Sequence, residues 1–295
     1  MGYETYTGLI AREVDTGEAD RYLTILSVER GKLECYARGI RRLKSKLASS
    51  AGLMSYGEFQ LYRKSEKYIL TSAKAFETFY DIRTDVVKYA YATHFLEIAR
   101  DAVVESQAFP EALQTLLNSL HVLCYRALSP EFISRVFEIR ILSLAGFAPM
   151  LDYCSVCGRP APFTGVTAPN TDTSCSYGDM DGGNGGYAGE DGEVTGGAWF
   201  AAGGDGLVCG SAECKNSAGR AVAISSGSVR AIKHVSECEA GDIFNFKING
   251  AVSAELAATI PVYLSNKFGR LYDKPDEAER YRVFEREMLE NYGKG

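Results

Sequence analysis

Four cysteines in two pairs form the group of residues whose types and spacing best suit a defined chemistry. Cys154 and Cys157 make a Cys-x2-Cys knuckle followed by Gly158, and Cys209 and Cys214 make a second pair with four residues between them. Four thiolates enclose one Zn²⁺ in tetrahedral geometry, and such a closed site leaves no coordination position open for a substrate. The pattern therefore predicts a structural zinc (Zn2+) site with Cys154, Cys157, Cys209 and Cys214 as its ligands.

Two other interpretations of these cysteines stay open. One is a pair of redox thiols, for which Cys154 or Cys157 would need a lowered pKa, and the other is no joint site at all. Cys175 is expected to be a free thiol, and it is the spare ligand if Cys214 does not complete the site. The other three cysteines fall in strand or helix patterns and are predicted to be small core residues: Cys35, Cys124 and Cys238.

A cationic stretch at residues 30–46 carries seven basic residues against one acid, in a chain whose formal net charge is −6. Leu33, Cys35 and Ala37 alternate with polar residues, which is the period-2 pattern of a half-buried strand. Gly39 ends this pattern, and the cations continue into a loop. A strand with one polar face that leads into a cationic loop suits contact with a phosphate backbone, and a solvated basic loop is the alternative.

Residues for catalysis are few. The three histidines, His94, His121 and His234, fall in helical patterns, and none lies near another candidate group, so they are predicted to be core or surface residues. The sequence contains no phosphate-binding loop, no dinucleotide fingerprint and no Gly-x-Ser-x-Gly elbow. The prediction is that this protein is not an enzyme.

The charge is unevenly distributed along the chain. Residues 1–79 carry 13 basic and 10 acidic residues (+3), whereas the remainder carries 19 basic and 28 acidic residues (−9). Residues 164–206 hold seven acids, no base and 13 glycines. Such a composition buries little apolar surface, so this insert is predicted to be a disordered or poorly packed loop. The acidic total therefore does not exclude nucleic acid as a ligand of the basic N-terminal part.

The location is predicted to be cytoplasmic. The longest apolar runs are too short to cross a bilayer, and the first residues lack the basic region and apolar run of a signal peptide. No contact with a membrane is expected.

Five strands and several helices are predicted around these residues. Five strands in fewer than 80 residues favour a small closed barrel, for which the OB-fold is the five-stranded case and an SH3-like barrel is the alternative. The predicted strands are rich in β-branched and aromatic residues and are separated by turn signals: Thr5–Val14, Arg21–Val28, Lys32–Arg38, Tyr56–Tyr62 and Lys67–Ala73.

The apolar period changes to a helical one after residue 80. Residues 129–131, Ser-Pro-Glu, are typical of a helix start, and the helix that follows is apolar on nearly every side. Further helices are predicted from near Ser226 and from Val252 to Phe268, where Pro261 either kinks the helix or begins a new one. The charged tail at residues 276–292 is predicted to be an exposed helix.

Two stretches of the sequence carry a resemblance to a known family. The first is GEADRYLTILSVERGKLECYARGIRRLKSK at Gly17–Lys46, and the second is LAGFAPMLDYCSVCG at Leu144–Gly158, followed by GLVC at Gly206–Cys209. These stretches resemble the bacterial RecO family of DNA repair proteins, and the order of barrel, helices and cysteine module is similar over most of the chain. The resemblance implies an α+β fold.

The expected domains follow the same order. Residues 1–79 would form an OB-fold domain that binds DNA, and residues 80–150 and 219–295 would form the two parts of a helical domain. Residues 151–218 would form an inserted four-cysteine, zinc-ribbon-like module with its Gly-rich acidic insert.

The resemblance also implies a function, that of a recombination mediator in DNA repair. Such a protein binds single- and double-stranded DNA without sequence specificity and anneals complementary strands. With RecR, and in many bacteria RecF, it helps to load RecA onto DNA coated by single-strand binding protein, whose acidic C-terminal tail it contacts. A location at the nucleoid follows.

Basic residues on the barrel would provide the sequence-tolerant backbone contacts that annealing needs. The expected DNA-binding residues are Arg38, Arg41, Arg42, Lys44 and Lys46, with Arg12, Arg21 and Lys32 as further candidates. Tyr22 and Tyr36 either stack on bases or are ordinary core or surface tyrosines.

Three rival hypotheses remain from the sequence. A zinc-containing interaction scaffold would make DNA contact minor, and an assay of strand annealing without partners would discriminate it from the mediator. A module in which the zinc ribbon itself touches nucleic acid conflicts with the acidic insert beside it, which repels phosphate. A thiol oxidoreductase would keep its activity after metal removal.

Overall fold

The computed structural model describes residues 2–105, 107–161 and 198–273. These residues belong to two compact units, one that runs to Pro130 and includes Asp273, and one formed by Glu131–Tyr272. The spare-ligand candidate Cys175 and the predicted tail helix at residues 276–292 lie outside the described residues. None of the described helices has the length and apolar character needed to cross a membrane.

A closed barrel of five strands forms the first part of the first unit. The strand order around the barrel is β1-β2-β3-β5-β4. All pairs are antiparallel except β3 and β5, which pair in parallel through Cys35↔Tyr68 and Tyr36↔Ile69. This is the five-stranded OB-fold arrangement, and the predicted fold class is confirmed. The strands are β1 (Gly2–Thr16), β2 (Asp20–Ser27), β3 (Gly31–Ala37), β4 (Tyr56–Lys64) and β5 (Lys67–Glu77).

Apolar and polar residues alternate along the strands, so that the apolar side chains point into one core inside the barrel. In β3 the residues Leu33, Cys35 and Ala37 are buried, while their polar neighbours point outward. Gly57 lets β4 approach β5, since a Cβ at this position would lie 2.1 Å from the carbonyl oxygen of Lys74. Twelve buried residues make up the barrel core: Tyr6, Ile10, Leu23, Ile25, Leu33, Cys35, Ala37, Ile40, Ala51, Phe59, Leu61 and Leu70.

Helices complete the first unit. A 3-10 turn (Tyr80–Thr84) leads into α1 (Val86–Ala102), and α2 (Pro110–Tyr125) follows. The Asp85 side chain caps α1 by accepting from two backbone N–H groups of its first turn, and Pro110 begins α2 at a position where no amide donor is needed. Apolar residues at helical spacing are buried on both helices, as their periodicity predicts.

The second unit combines helices with a small antiparallel sheet. Its strand order is β7-β6-β8. The helix that contains Pro261 continues through it, so this proline neither ends the helix nor begins a new one. The elements are α3 (Pro130–Leu144, whose first residue belongs to the first unit), β6 (Ala198–Ala201), β7 (Gly206–Val208), α4 (Ala212–Ser217), β8 (Ala221–Ile224), α5 (Ser226–Glu237) and α6 (Gly250–Phe268).

The prediction of a poorly packed loop is wrong for the last part of the Gly-rich insert. β6 lies in this part of the insert, and it pairs with both β7 and β8. Phe200 is fully buried and its ring meets that of Tyr263 at 5.4 Å. The prediction rested on the glycine and acid content of the whole insert. The short apolar run at residues 198–202 nevertheless supplies enough apolar surface to pack.

Candidate nucleic-acid interface and metal centre

The cationic loop, residues 38–46, is a series of hydrogen-bonded turns that begins where β3 ends. Gly39 has φ +65°, a left-handed conformation that favours glycine. The amide of Arg41 donates to the Ala19 carbonyl at 3.0 Å, which joins the loop to the β1–β2 turn. Ile40 is 2% exposed and packs in the barrel core. The backbone of the loop is therefore fixed while its other side chains point outward.

Five of the eight predicted DNA-binding residues lie together on this loop, and all five are exposed. Arg41 forms a weak ion pair with Asp15 at 3.4 Å. Among the residues that the structure describes, the other four have no ion-pair partner within 4.0 Å. Exposed cations on an ordered loop, four of them without a salt bridge among the described residues, suit an anionic polymer as ligand. The five residues are Arg38, Arg41, Arg42, Lys44 and Lys46.

Asp20 holds the start of the loop beside an aromatic pair. Its carboxylate accepts a hydrogen bond from the Tyr36 hydroxyl, and from the amide of Gly39 at 2.6 Å. These two donors hold the pKa of Asp20 below its ordinary value. Tyr36 faces Tyr22 across the β2–β3 ladder, with ring centroids 5.3 Å apart at 55°. Because Tyr22 is 49% exposed, the pair presents aromatic surface next to the cations.

The other three predicted DNA-binding residues lie elsewhere. Arg12 is exposed on β1. Arg21 is held by two carboxylates, Glu13 at 2.9 Å and Asp15 at 2.7 Å, which offset its charge. Lys32 donates to a backbone carbonyl in the last turn of α1 at 3.3 Å. Arg21 and Lys32 thus already have partners within the protein, and a DNA contact by any of the three stays a prediction.

A second group of outward-facing residues on the barrel could not be assembled from the sequence. Tyr3 and Tyr62 face each other across β1 and β4, with ring centroids 5.2 Å apart. Lys64 and Lys67 face each other across the β4–β5 turn. The sequence alone shows that Tyr62 and Lys64, two positions apart in a strand, lie on the same face. Only the pairing of the strands places Tyr3 and Lys67 beside them.

The four cysteines of the predicted metal site lie together. Their sulfur atoms are all within 4.8 Å of one another, and the Sγ atoms of Cys157 and Cys209 are 3.8 Å apart. Tetrahedral zinc with a Zn–S distance of about 2.3 Å separates its sulfur ligands by about 3.8 Å. Cys154, Cys157, Cys209 and Cys214 therefore fit one tetrahedral metal ion.

A short helix explains the unusual spacing of the second cysteine pair. Ser211 caps α4, and its hydroxyl accepts from the amide of Cys214 at 3.3 Å. The first turn of α4 thereby brings Cys214 back toward Cys209 despite four intervening residues. The Ser211 hydroxyl also lies 3.4 Å from the Cys209 sulfur. One serine thus orients both cysteines of the pair.

Two cysteines of the cluster differ widely in pKa. Burial opposes ionisation of Cys154, yet backbone amides of Cys209, Cys157 and Val156 aimed at its sulfur lower its pKa to about 6. The Ser211 hydroxyl favours the Cys214 thiolate, but desolvation and the neighbouring sulfurs raise the pKa of Cys214 to about 12. Four adjacent thiolates repel one another unless a cation lies between them. The donor set therefore suits a divalent metal ion.

The lowered pKa of Cys154 meets the condition stated for a redox thiol, but its environment does not suit that role. Cys154 is only 2% exposed and packs in a small core with Ala201, Val208 and Cys214. A buried sulfur offers little access to a disulfide or substrate. The three histidines lie on helices, as predicted: His94 and His234 are buried, and His121 is exposed.

These features define a class of protein: an OB-fold barrel with an exposed cationic loop, followed by helices and a four-cysteine cluster. Two family models match the chain, the one for the N-terminal part of recombination protein O over residues 1–79 and the one for its C-terminal part over residues 83–177.

Named relatives agree with the family models. The DNA repair protein RecO of Acetivibrio thermocellus is 32% identical over 276 residues, which cover 94% of this chain and 96% of that protein. Those of Bacillus cereus and Bacillus anthracis are 29% identical over 174 residues, or 59% of this chain and 70% of each relative. The chain belongs to the RecO family, and its role is in DNA repair and recombination.

Proposed function

We propose that this protein is a recombination mediator that binds single- and double-stranded DNA through the cationic loop and anneals complementary strands. The observation that carries the proposal is the ordered, exposed loop on which Arg38, Arg42, Lys44 and Lys46 have no ion-pair partner among the described residues. Backbone contacts of this kind are indifferent to sequence and leave base edges free for pairing.

The Tyr22–Tyr36 pair supports the same proposal. Aromatic side chains beside cations are the usual means by which OB-folds hold single strands, because every base has a face that stacks. The loop would hold the phosphates, and the exposed part of the Tyr22 ring would meet the bases. Arg12 is a further contact of the backbone, with Arg21 and Lys32 as the weaker candidates because of their internal partners.

Partners and the metal ion complete the proposal. By its family, the protein would act with RecR, and in many bacteria RecF, to load RecA onto DNA coated by single-strand binding protein, whose acidic C-terminal tail it would contact. It would do so at the nucleoid, without catalytic activity of its own. Residues 1–79 would be the DNA-binding domain. Cys154, Cys157, Cys209 and Cys214 would hold one Zn²⁺ that fixes the local fold.

Reversing two charges on the loop tests the DNA proposal. In Arg41→Glu/Arg42→Glu, the affinity for unrelated single-stranded sequences should fall by similar factors of about tenfold or more. The slope of log affinity against log salt should also become shallower by about 1.4, since each lost phosphate contact removes about 0.7. Fluorescence anisotropy of labelled DNA over a salt series measures both quantities.

A charge-matched control uses two exposed cations of the second unit, in the variant Arg220→Glu/Lys247→Glu. This variant should bind like the wild type. If the loop variant and the wild type have equal affinity across the salt series, the loop is not the interface. If the wild type binds DNA but does not anneal strands without partners, the scaffold hypothesis is favoured instead.

A further inference from the structure

Asp15 lies between two arginines beside the cationic loop. Its Oδ1 atom accepts a hydrogen bond from Arg21 Nε at 2.7 Å, and its Oδ2 atom lies 3.4 Å from Arg41 Nη1. Each oxygen of one carboxylate thus faces a different guanidinium group. Two guanidinium groups that converge on one anion also suit a phosphate, whose oxygens accept from arginine in the same way.

The two arginines reach this carboxylate from different parts of the chain. Arg21 is the cross-strand partner of Asp15 in β1 and of Ala37, the last residue of β3. Arg41 belongs to the cationic loop, and its amide donates to the Ala19 carbonyl at 3.0 Å, which holds the loop against the β1–β2 turn. Backbone contacts therefore bring the two arginines together independently of the carboxylate between them.

This group lies at the rim of the barrel and not on its outer face. In β2, Arg21 has the parity of Leu23 and Ile25, which are buried in the barrel core. Tyr22 has the opposite parity and points outward, toward its partner Tyr36. The arginines and the tyrosine pair are therefore on different sides of the same strand.

The carboxylate is the most exposed of the three charged groups. The Asp15 side chain is 53% exposed, against 37% for Arg41 and 29% for Arg21. Glu13 also accepts from Arg21, at 2.9 Å from Nη1, and so orients this guanidinium independently of Asp15. Exposed ion pairs are weak, so a phosphate competes for both arginines at the cost of rotating one short side chain.

We propose that Arg21 and Arg41 form a phosphate subsite that Asp15 occupies in the free protein and leaves when DNA binds. This inference rests on the proposed function, because it assigns one phosphate of the bound strand to a defined pair of side chains. The carboxylate acts as an internal competitor, which lowers the affinity for DNA and returns to the arginines as the phosphate departs. A strand that has paired with its complement is thereby released sooner.

The variant Asp15→Asn tests the displacement in the full chain. Its affinity for a labelled single strand should rise about fivefold, with a matching fall in the dissociation rate, because no ion pair has to break. The slope of log affinity against log salt should stay within about 0.3 of the wild type, because the same phosphates are contacted in both complexes. Fluorescence anisotropy over a salt series and stopped-flow dissociation into excess unlabelled strand measure these quantities.

Glu18→Gln is the matched control for the loss of one negative charge. Glu18 is exposed in the same β1–β2 turn and has no ion-pair partner within 4.0 Å in the described part of the chain. Because its charge acts on DNA only through screened solvent, the affinity of this variant should rise by less than about twofold.

Arg21→Gln and Arg41→Gln test the phosphate contact itself. Each should make the salt slope shallower by about 0.7, the value of one lost phosphate contact on a single strand. The loss of affinity in Arg21→Gln should be about threefold smaller in the wild type than in Asp15→Asn, because only the wild-type arginine must first leave its carboxylate.

Other results overturn the inference in distinguishable ways. A gain of affinity in Asp15→Asn no larger than that in Glu18→Gln would show that Asp15 does not compete with DNA. A slope that steepens by about 0.7 or more in Asp15→Asn would show that Asp15 stays between the arginines in the wild-type complex. Unchanged slopes in both arginine variants would remove the phosphate subsite. If the wild type binds no DNA at all, the proposed function itself fails.

Discussion

The barrel and the cysteine cluster are ordered by different forces. The barrel encloses twelve buried residues, from Tyr6 to Leu70, and all five strands are joined in a closed ladder. The buried core of the cysteine cluster has four members, Cys154, Ala201, Val208 and Cys214, and its sheet has three short strands. Small residues bury little apolar area, so this second core offsets less of the entropy of ordering its loops than the barrel core does.

The difference indicates where each part of the molecule obtains its stability. Apolar burial is sufficient for the barrel, whereas the cluster needs cross-links, which four sulfurs on one metal ion would provide. The positions of the cationic loop and of both tyrosine pairs then depend on the barrel alone.

Metal removal should have the largest effect, confined to the cluster. Structural zinc contributes roughly 10–16 kcal/mol to the folding of zinc-finger peptides, so chelation or Cys214→Ser should unfold the surrounding sheet. Trp199 is the single tryptophan of the chain and packs against the cluster, with the Lys215 ammonium 4.6 Å from its ring centre. Its emission should shift to the red while DNA binding by the barrel persists.

Cys238→Ser is the matched control for metal removal, because Cys238 is not part of the cluster. It should keep one metal ion per chain by elemental analysis. Unchanged tryptophan emission after complete metal removal would contradict the contrast between the two regions.

A cavity in the barrel should have the next largest effect, confined to the barrel. Phe59 is fully buried in the barrel core, and Phe59→Ala should cost about 3–5 kcal/mol of unfolding free energy. Denaturant unfolding followed by circular dichroism measures this loss. Metal content and tryptophan emission should not change, and a loss of metal in this variant would show that the two regions are not independent.

Removing one hydroxyl at the cluster should have a smaller effect. Ser211→Ala deletes the cap of α4 and the contact with the Cys209 sulfur, which should lower stability by about 1 kcal/mol and metal affinity by about 10–100-fold. Competition with a chromophoric chelator measures the affinity. Ser211→Thr should keep most of the wild-type metal affinity. An unaltered affinity in Ser211→Ala would show that the serine does not support the metal site.

Titration of Asp20 should have the smallest effect, confined to the start of the cationic loop. The Tyr36 hydroxyl and then the Gly39 amide lower its pKa, so its contribution to stability is complete above the ordinary aspartate pKa of about 3.9 and is lost as the pH falls through the lowered value. The Gly39 amide shift, followed by NMR with labelled glycine, should change at a pH below about 3.9. Asp20→Asn should abolish this change, and a midpoint at or above the ordinary value would contradict the assignment.

The strands of the barrel could be predicted from the sequence because apolar and polar residues alternate within each strand. Leu33, Cys35 and Ala37 are buried as their period indicates. The pairing of Arg21 with Asp15 could not be predicted, since the two residues become neighbours only through the register of β1 and β2. For the same reason Tyr3 and Tyr62, 59 positions apart, gave no common signal in the sequence.

The cysteine cluster was predictable in its members but not in its construction. Spacing alone identified the four sulfurs, because metal ligands are few in type. The role of Ser211 depends on the residue at which α4 begins. A helix of six residues is too short for its apolar periodicity to predict that residue. The strand β6 could not be predicted because Trp199 and Phe200 lie at the end of a segment dominated by glycine and acidic residues.

The parallel pairing of β3 with β5 has a consequence for how the barrel folds. Its two residue pairs join Cys35 to Tyr68 and Tyr36 to Ile69, each 33 positions apart in the sequence, whereas the three antiparallel hairpins are local. Closing so long a loop for so few hydrogen bonds is unfavourable until the hairpins have already restricted the chain. The β1–β4 ladder joins residues still farther apart, but it does so through eight residue pairs against two. We therefore expect the seam between β3 and β5 to be the last part of the barrel to form and the first to open.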